Sequence, residues 1–378
     1  MPLNRSSKLL GLEAIRFGSA FAVLIWHYQH FAFVAYRLTQ FEAARQPFYP
    51  AFKWLYDYGF YGVQVFWCIS GFIFFWKYSA PIATKLVDAK EFFVLRFSRL
   101  YPLHITTLLL VALLQLVYFH YNHFYFVNPS NDSKHFFLQL FLASSWGFER
   151  GYSFNSPIWS ISVEVLVYVF FFGTARFLGT SPALNIVVLL LCVILRKMHV
   201  DSPVVECIAF FYSGGLSALA LQHFSKTKYH TGLKILAACI AVLVPILVYT
   251  SGMLWPKYLT HFALLAYIPT LLYCLANDFP AGPKTQHVIA IAGSVTYSSY
   301  LIHFPLQIVI ALAFGYLNKP IPFYNAYFFV AFITTTFSCA LLVYRYVEMP
   351  AQAYIRNTWM PAHATPVSWG SPNWIRIR

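Results

Sequence analysis

Apolar residues run along this chain in long blocks, not in stripes. A helix of a water-soluble domain repeats them at i, i+3, i+4 and i+7 and leaves its opposite face polar. Here whole blocks carry little but Leu, Ile, Val, Phe, Ala and Tyr, and a helix needs about 20 such residues to cross a bilayer. Ten blocks read as spans: 10–35, 59–76, 100–119, 160–178, 184–196, 204–222, 233–250, 258–276, 288–315 and 324–346. The fifth is short. The ninth is long and contains Pro305, which predicts a kink there. No internal repeat is visible. The pattern predicts an all-α fold, a polytopic transmembrane helical bundle of about ten spans. One integral-membrane domain would occupy 1–350 and a cytoplasmic C-terminal tail 351–378. Within that tail, 361–378 mix Pro, Trp and Arg without periodicity, which predicts poor order or contact with anionic lipid.

Composition supports the bundle. Of 378 residues, 59% are hydrophobic and 10% charged, against about 25% charged in an ordinary soluble domain. The net charge of +14 raises nucleic-acid binding, but the basic residues fall between apolar blocks and line no single face. Positive-inside bias accounts for them. With the N-terminus in the cytoplasm, inside segments hold sixteen Lys and Arg and outside segments nine, Arg16 lying within the first span. Both termini are therefore expected inside. Arg5 and Lys8 before an apolar run imitate a secretion signal, but that run holds Arg16 and His27 and reads as a retained span. The six cysteines stand singly in apolar stretches without metal or disulfide spacing, as small core residues do. No metal site is expected.

Ionisable groups within spans are costly and usually functional. Those singled out are Arg16, His27, His104, Glu164, Glu206, His261 and His303. Arg16 and His27 are eleven residues apart, three helical turns, so they share a face about 16 Å apart along the axis. A charged donor docked on the first has its reactive end near the second; the alternative is a snorkelling arginine and a core histidine. Arg96 and Arg99, at i and i+3, form a fork suited to phosphate, although simple positive-inside charge explains them equally. Pro157 is placed to start a helix, with Glu164 one to two turns inside it, near the level of His27. There it would orient the imidazole, bind acceptor hydroxyls or stabilise the helix N-terminus. Ser298, Ser299, Tyr300 and His303 form a polar cluster beside Pro305, of the kind that lines cavities; the alternative is an internally hydrogen-bonded histidine. His104, Glu206 and His261 suggest no partner. The long outside segments 36–58 and 120–158 mix aromatic and polar residues, as sugar sites and ordinary interfacial loops both do.

Together these segments resemble the membrane-bound acyltransferase 3 family, whose members O-acylate sugars. Gly11-Leu12-Glu13-Ala14-Ile15-Arg16 is similar to the family's opening, with Arg16 and His27 as its Arg-x10-His pair. Gly62-Val63-Gln64-Val65-Phe66 with Ser70-Gly71-Phe72 resembles its second span, and Arg96-Phe97-Ser98-Arg99-Leu100-Tyr101-Pro102 its third. Trp159 to Glu164, Tyr300 to Pro305 and Val347-Glu348-Met349-Pro350 resemble its later signatures. The likeness spans about 1–350. Glu13 stands where Asp is commoner, Trp67 and Cys68 replace commoner apolar residues, and no esterase-like domain follows the last span.

The resemblance implies acyl-coenzyme A, usually acetyl-CoA, as cytoplasmic co-substrate, with no permanently bound cofactor. It implies a glycan or lipid-linked sugar as acceptor and the bilayer as surroundings, in a bacterial inner membrane. Catalysis would fall to His27 and Glu164, donor binding to Arg16, Arg96 and Arg99, and substrate binding to Trp159, Ser160, Tyr300 and His303. The rival is a transporter or flippase for a lipid-linked sugar or small metabolite, which ten spans with buried charge suit equally on composition.

Overall fold

The computed structural model describes residues 9–39, 41–251, 257–276 and 281–360. In chain order the helices are α1 (Leu10–His27), α2 (Tyr49–Tyr58), α3 (Gly62–Lys77), α4 (Ser79–Ala83), α5 (Ala89–Asn122), α6 (Ser133–Leu140), α7 (Trp159–Gly173) and α8 (Pro182–Lys197). They continue as α9 (Pro203–Phe224), α10 (His230–Ser251), α11 (Lys257–Leu275), α12 (Pro283–Ser294), α13 (Thr296–Tyr316), α14 (Ala326–Val343) and α15 (Met349–Trp359). A two-residue hairpin, Phe33–Val34 with Arg37–Leu38, is the β-structure among the described residues. Eight helical stretches there are long and apolar enough to cross a membrane. The shorter α8 and α11 fill the places of the fifth and eighth predicted spans. The expected all-α polytopic bundle is what the chain forms.

Local chemistry sets the helix starts. Asp88, Asp132, Ser181, Ser202 and Asn325 each accept a backbone N–H in the first turn of the helix that follows, satisfying a donor the helix itself cannot. Pro182, Pro203 and Pro283 occupy first-turn positions, where a missing N–H costs nothing.

Several boundaries differ from the sequence pattern. α5 begins at Ala89, not near 100, because Asp88 caps it through Glu91 N–H at 2.7 Å. A bilayer limits the apolar stretch of a helix, not the helix itself. The segment 36–58 contains α2, and 120–158 contains α6. The ninth span divides at Val295 between α12 and α13, while α13 runs on through Pro305. The tenth continues through a π turn over Tyr344–Glu348 into α15, so 351–359 of the expected tail is helix. The expectation for 361–378 lies outside the described residues. Cys68, Cys192 and Cys207 are buried as expected of core residues, but Cys239 is exposed on α10.

α3 and α9 form the centre. They run parallel, since Gln64 meets Glu206 at one end and Gln222 meets the Trp76 carbonyl at the other. Their backbones nearly touch: a Cβ on Gly71 would lie 1.7 Å from the Phe211 carbonyl oxygen, and one on Gly214 1.9 Å from that of Cys68. Small residues are how membrane helices approach when hydrophobicity cannot drive them together. Around the pair, Phe74, Phe75, Phe171, Phe211 and Tyr212 interlock edge to face. Gly293 brings α12 onto Glu13 in the same way, and Gly11 brings α1 onto Leu275.

Candidate active site

A cavity of about 130 Å³, partly open, lies between α1, α3, α5, α7 and α13. One part of its wall is cationic: Arg16 from α1, with Arg96 and Arg99 from α5. Arg16 is held by Glu13 at 3.1 Å. The Arg96 guanidinium lies over the rings of Phe74 and Tyr78, at 4.8 and 4.9 Å, and donates to the Tyr78 hydroxyl. Arg99 faces Glu348, whose carboxylate accepts from Ser298 Oγ at 2.6 Å. Arg16 and Arg96 are thus each fixed by a group that leaves donors free for an anion.

Ser160, Glu164 and Tyr168 of α7 and Tyr300 of α13 line the same cavity. Ser160 Oγ and Tyr300 OH are 2.9 Å apart. Glu164 is buried, with Ser70 and Tyr168 turned toward its carboxyl and Oε1 without a partner. The alternating polar positions of this segment have separate duties. Ser160 faces the cavity, whereas Ser162 accepts the Ser145 N–H at 3.1 Å and pins the preceding loop. Trp67, where the resemblance leads one to expect a commoner apolar residue, donates its indole N–H to the Ser160 carbonyl at 3.3 Å. It also meets Trp159 edge-on at 5.7 Å. Trp159 itself stands outside the lining, 6.1 Å from the exposed ring of Tyr152.

Beyond Tyr300 lies a group of three imidazoles. The ring of Tyr300 is 6.1 Å from His303, His303 is 4.8 Å from His27, and His27 is 4.9 Å from His30. All three histidines are buried. Gln307 braces the group, donating to the His27 carbonyl at 2.9 Å with its Oε1 3.1 Å from His30 Nδ1. His303 Nδ1 lies 3.3 Å from the Ser299 carbonyl, one turn back. His27 Nδ1, with the Val23 carbonyl beside it, makes no hydrogen bond of normal geometry, and neither does His303 Nε2. Unpaired buried ring nitrogens on adjacent histidines are costly in a finished interior.

The structure brings Arg16, Arg96, Arg99, Ser160, Glu164 and Tyr300 to one cavity, and sets His27 and His303 behind Tyr300. Arg16 is on the cavity wall and His27 is not, although α1 carries both. Glu164 faces the arginines and forms no hydrogen bond with His27 among the described contacts. Of the histidines without an evident partner, His104 binds the Gln139 carbonyl at 2.7 Å, and His261 pairs with Glu206 at 2.9 Å. His30 and Gln307 were not singled out from the sequence, and Glu348 only as part of a terminal signature with no role assigned. His30 lies three residues after His27, and Gln307 four after His303, spacings that mark one helical face. Glu348 falls just past the tenth predicted span. No group of acidic, His and Cys residues able to hold a metal occurs among the described residues.

A helical bundle of long apolar helices around a polar cavity walled by arginines, a carboxylate and hydroxyls defines an integral-membrane protein. The chain belongs to the acyltransferase 3 family: that family's profile, described as an acyltransferase domain, matches residues 9–344. It is a membrane acyltransferase. Comparison with curated proteins finds no match, nor does comparison with solved structures.

Proposed function

We propose that the protein transfers an acyl group, in the first instance acetyl, from cytoplasmic acyl-CoA to a hydroxyl of a sugar in an exported or surface glycan. The observation that carries this reading is the order of groups along one path, with three arginines at the cavity and imidazoles with open ring nitrogens behind Tyr300. The arginines supply charge-assisted hydrogen bonds for the donor's phosphates. The pantetheine arm has the reach for the roughly 16 Å between Arg16 and His27, and a rotation of Tyr300 would open the last step.

His27 accepts the proton of the acceptor hydroxyl as that oxygen attacks the thioester carbonyl. The C–S bond then breaks, and the proton passes to the departing sulfur, which leaves as CoA thiol. Glu164, with its free Oε1, holds the acceptor's neighbouring hydroxyls in the cavity. The aromatic faces of Trp159 and Tyr152 offer a surface on which a sugar ring can lie. The excess of Lys and Arg in alternate loops favours both termini inside, and the resemblance to the family favours a bacterial inner membrane.

The test is to incubate purified protein with acetyl-labelled acetyl-CoA and a glycan acceptor. Label on the acceptor, with CoA thiol released in equal amount, is the expected result. Uptake of a sugar into vesicles without acylation would overturn the reading in favour of transport.

A further inference from the structure

The family match ends at residue 344, and α15 lies beyond it. This helix is docked on α5 beside the arginines. Arg356 Nε donates to Ser98 Oγ at 3.1 Å, and Ser98 sits between Arg96 and Arg99 in sequence and is fully buried. Three positions on, Trp359 lies nearly parallel to Phe97, with ring centroids 5.5 Å apart and planes 18° apart. Stacking and hydrogen bond together fix the face of α15, so the Arg356 guanidinium stands against like charge, with Arg96, Arg99 and Tyr78 around it. Lys77 faces Arg16, Arg96 and Arg99 as well. Five cations, Arg16, Lys77, Arg96, Arg99 and Arg356, thus share a neighbourhood with four carboxylates, Glu13, Glu91, Glu164 and Glu348. A half-buried arginine pressed toward two others on a single neutral hydroxyl is unfavourable unless an anion joins them.

We propose that Arg356 is a specificity-determining residue for the donor, binding the terminal phosphomonoester of coenzyme A, the 3′-phosphate on its ribose. The inference rests on the acyl-CoA reading above. Arg96 and Arg99 line the cavity and Arg356 does not; with the donor's pyrophosphate on Arg96 and Arg99, Arg356 would lie beyond it. In a donor threaded thioester-first, the 3′-phosphate is the anion left at that outer position. A phosphomonoester carries close to two charges at neutral pH, which suits a site with surplus cations.

The experiment compares equilibrium binding of CoA and 3′-dephospho-CoA to the full-length protein in detergent or nanodiscs, with acetyl transfer from both acetylated forms. The wild type is expected to favour CoA by about 10-fold or more, the scale of one charge-assisted bond. Arg356→Ala should lose most of that preference by weakening CoA alone, with 3′-dephospho-CoA bound as before. Arg356→Lys should restore part of it. In kinetics the loss should fall on KM for acetyl-CoA, not on kcat. Equal binding of the two ligands by the wild type overturns the inference without any variant, and so does an Arg356→Ala protein that keeps the wild-type preference. Either result leaves the donor reading standing if transfer continues; a wild type that binds neither ligand and transfers nothing sinks the donor reading instead.

Discussion

Gly71→Ala tests whether the cavity is positioned by the contact between α3 and α9. The added Cβ would sit 1.7 Å from the Phe211 carbonyl oxygen, 2.5 Å from its carbon and 2.8 Å from its Cα, against 3.4 Å for ordinary contact. Relief requires the backbones to part by about 1.7 Å, because a backbone carbonyl has no rotamer into which to move. Overpacking typically costs about 1–3 kcal/mol, and a backbone obstacle puts this site at the upper end. Ser70, Ile73 and Phe74 ride on the same helix and form part of the cavity wall. A displacement of that size should therefore cut turnover by about 100-fold. Gly18→Ala on α1 is the control, since nothing lies within 4 Å of its added Cβ; it should unfold no more easily than wild type and keep full activity. Thermal unfolding in detergent with acetyl-transfer rates reads both variants. A Gly71→Ala protein as stable and active as Gly18→Ala would refute the close-packed pair as the device that sets the cavity.

Gln307→Leu removes the brace from the histidine group, leaving the His27 carbonyl and His30 Nδ1 without their partners. Turnover should fall about 10–100-fold while KM for acyl-CoA holds, because the arginines are untouched; steady-state kinetics with varied donor separates the two. Asp132 caps α6 by accepting the His135 N–H at 2.9 Å, and this bond holds its carboxyl below its ordinary value of 3.8. The capping contribution is therefore complete above that value and disappears as the pH falls through the lower folded-state value. Asp132→Ala should speed amide exchange over 133–136 at neutral pH, and acid should abolish the difference between variant and wild type after correction for intrinsic rates. A variant with unchanged exchange at neutral pH would remove Asp132 from that role.

The bundle was legible because lipid demands unbroken apolar runs, and nothing else in protein chemistry resembles them. Arg16 was legible for the converse reason, since charge within a span is costly; Arg96 and Arg99 were legible only as a fork that positive-inside charge explained equally. What hydropathy could not reveal was helix beyond the membrane, as where Asp88 starts α5 early and a π turn carries the last span into α15. Pro305 predicted a kink and said nothing of the break at Val295, because a proline marks a lost hydrogen bond and not the place where tertiary packing divides the helix. Partners distant in sequence were also hidden. Nothing local joins Glu348 to Arg99, Glu206 to His261, or Gln307 to His27 and His30. Glu164 was placed near the level of His27 by its depth, but its direction around α7, toward Ser70, Tyr168 and the arginines, was not legible from depth alone.

The most direct test of the central claim is the single-turnover rate of acetyl transfer by His27→Ala and His27→Gln, each shown to be folded by its unfolding temperature and by undiminished CoA binding. Loss of a general base predicts a fall of about 10²–10⁴-fold in both variants, with donor affinity intact because the arginines remain. Transfer at the wild-type rate by either variant, in protein that still binds CoA, would contradict the account.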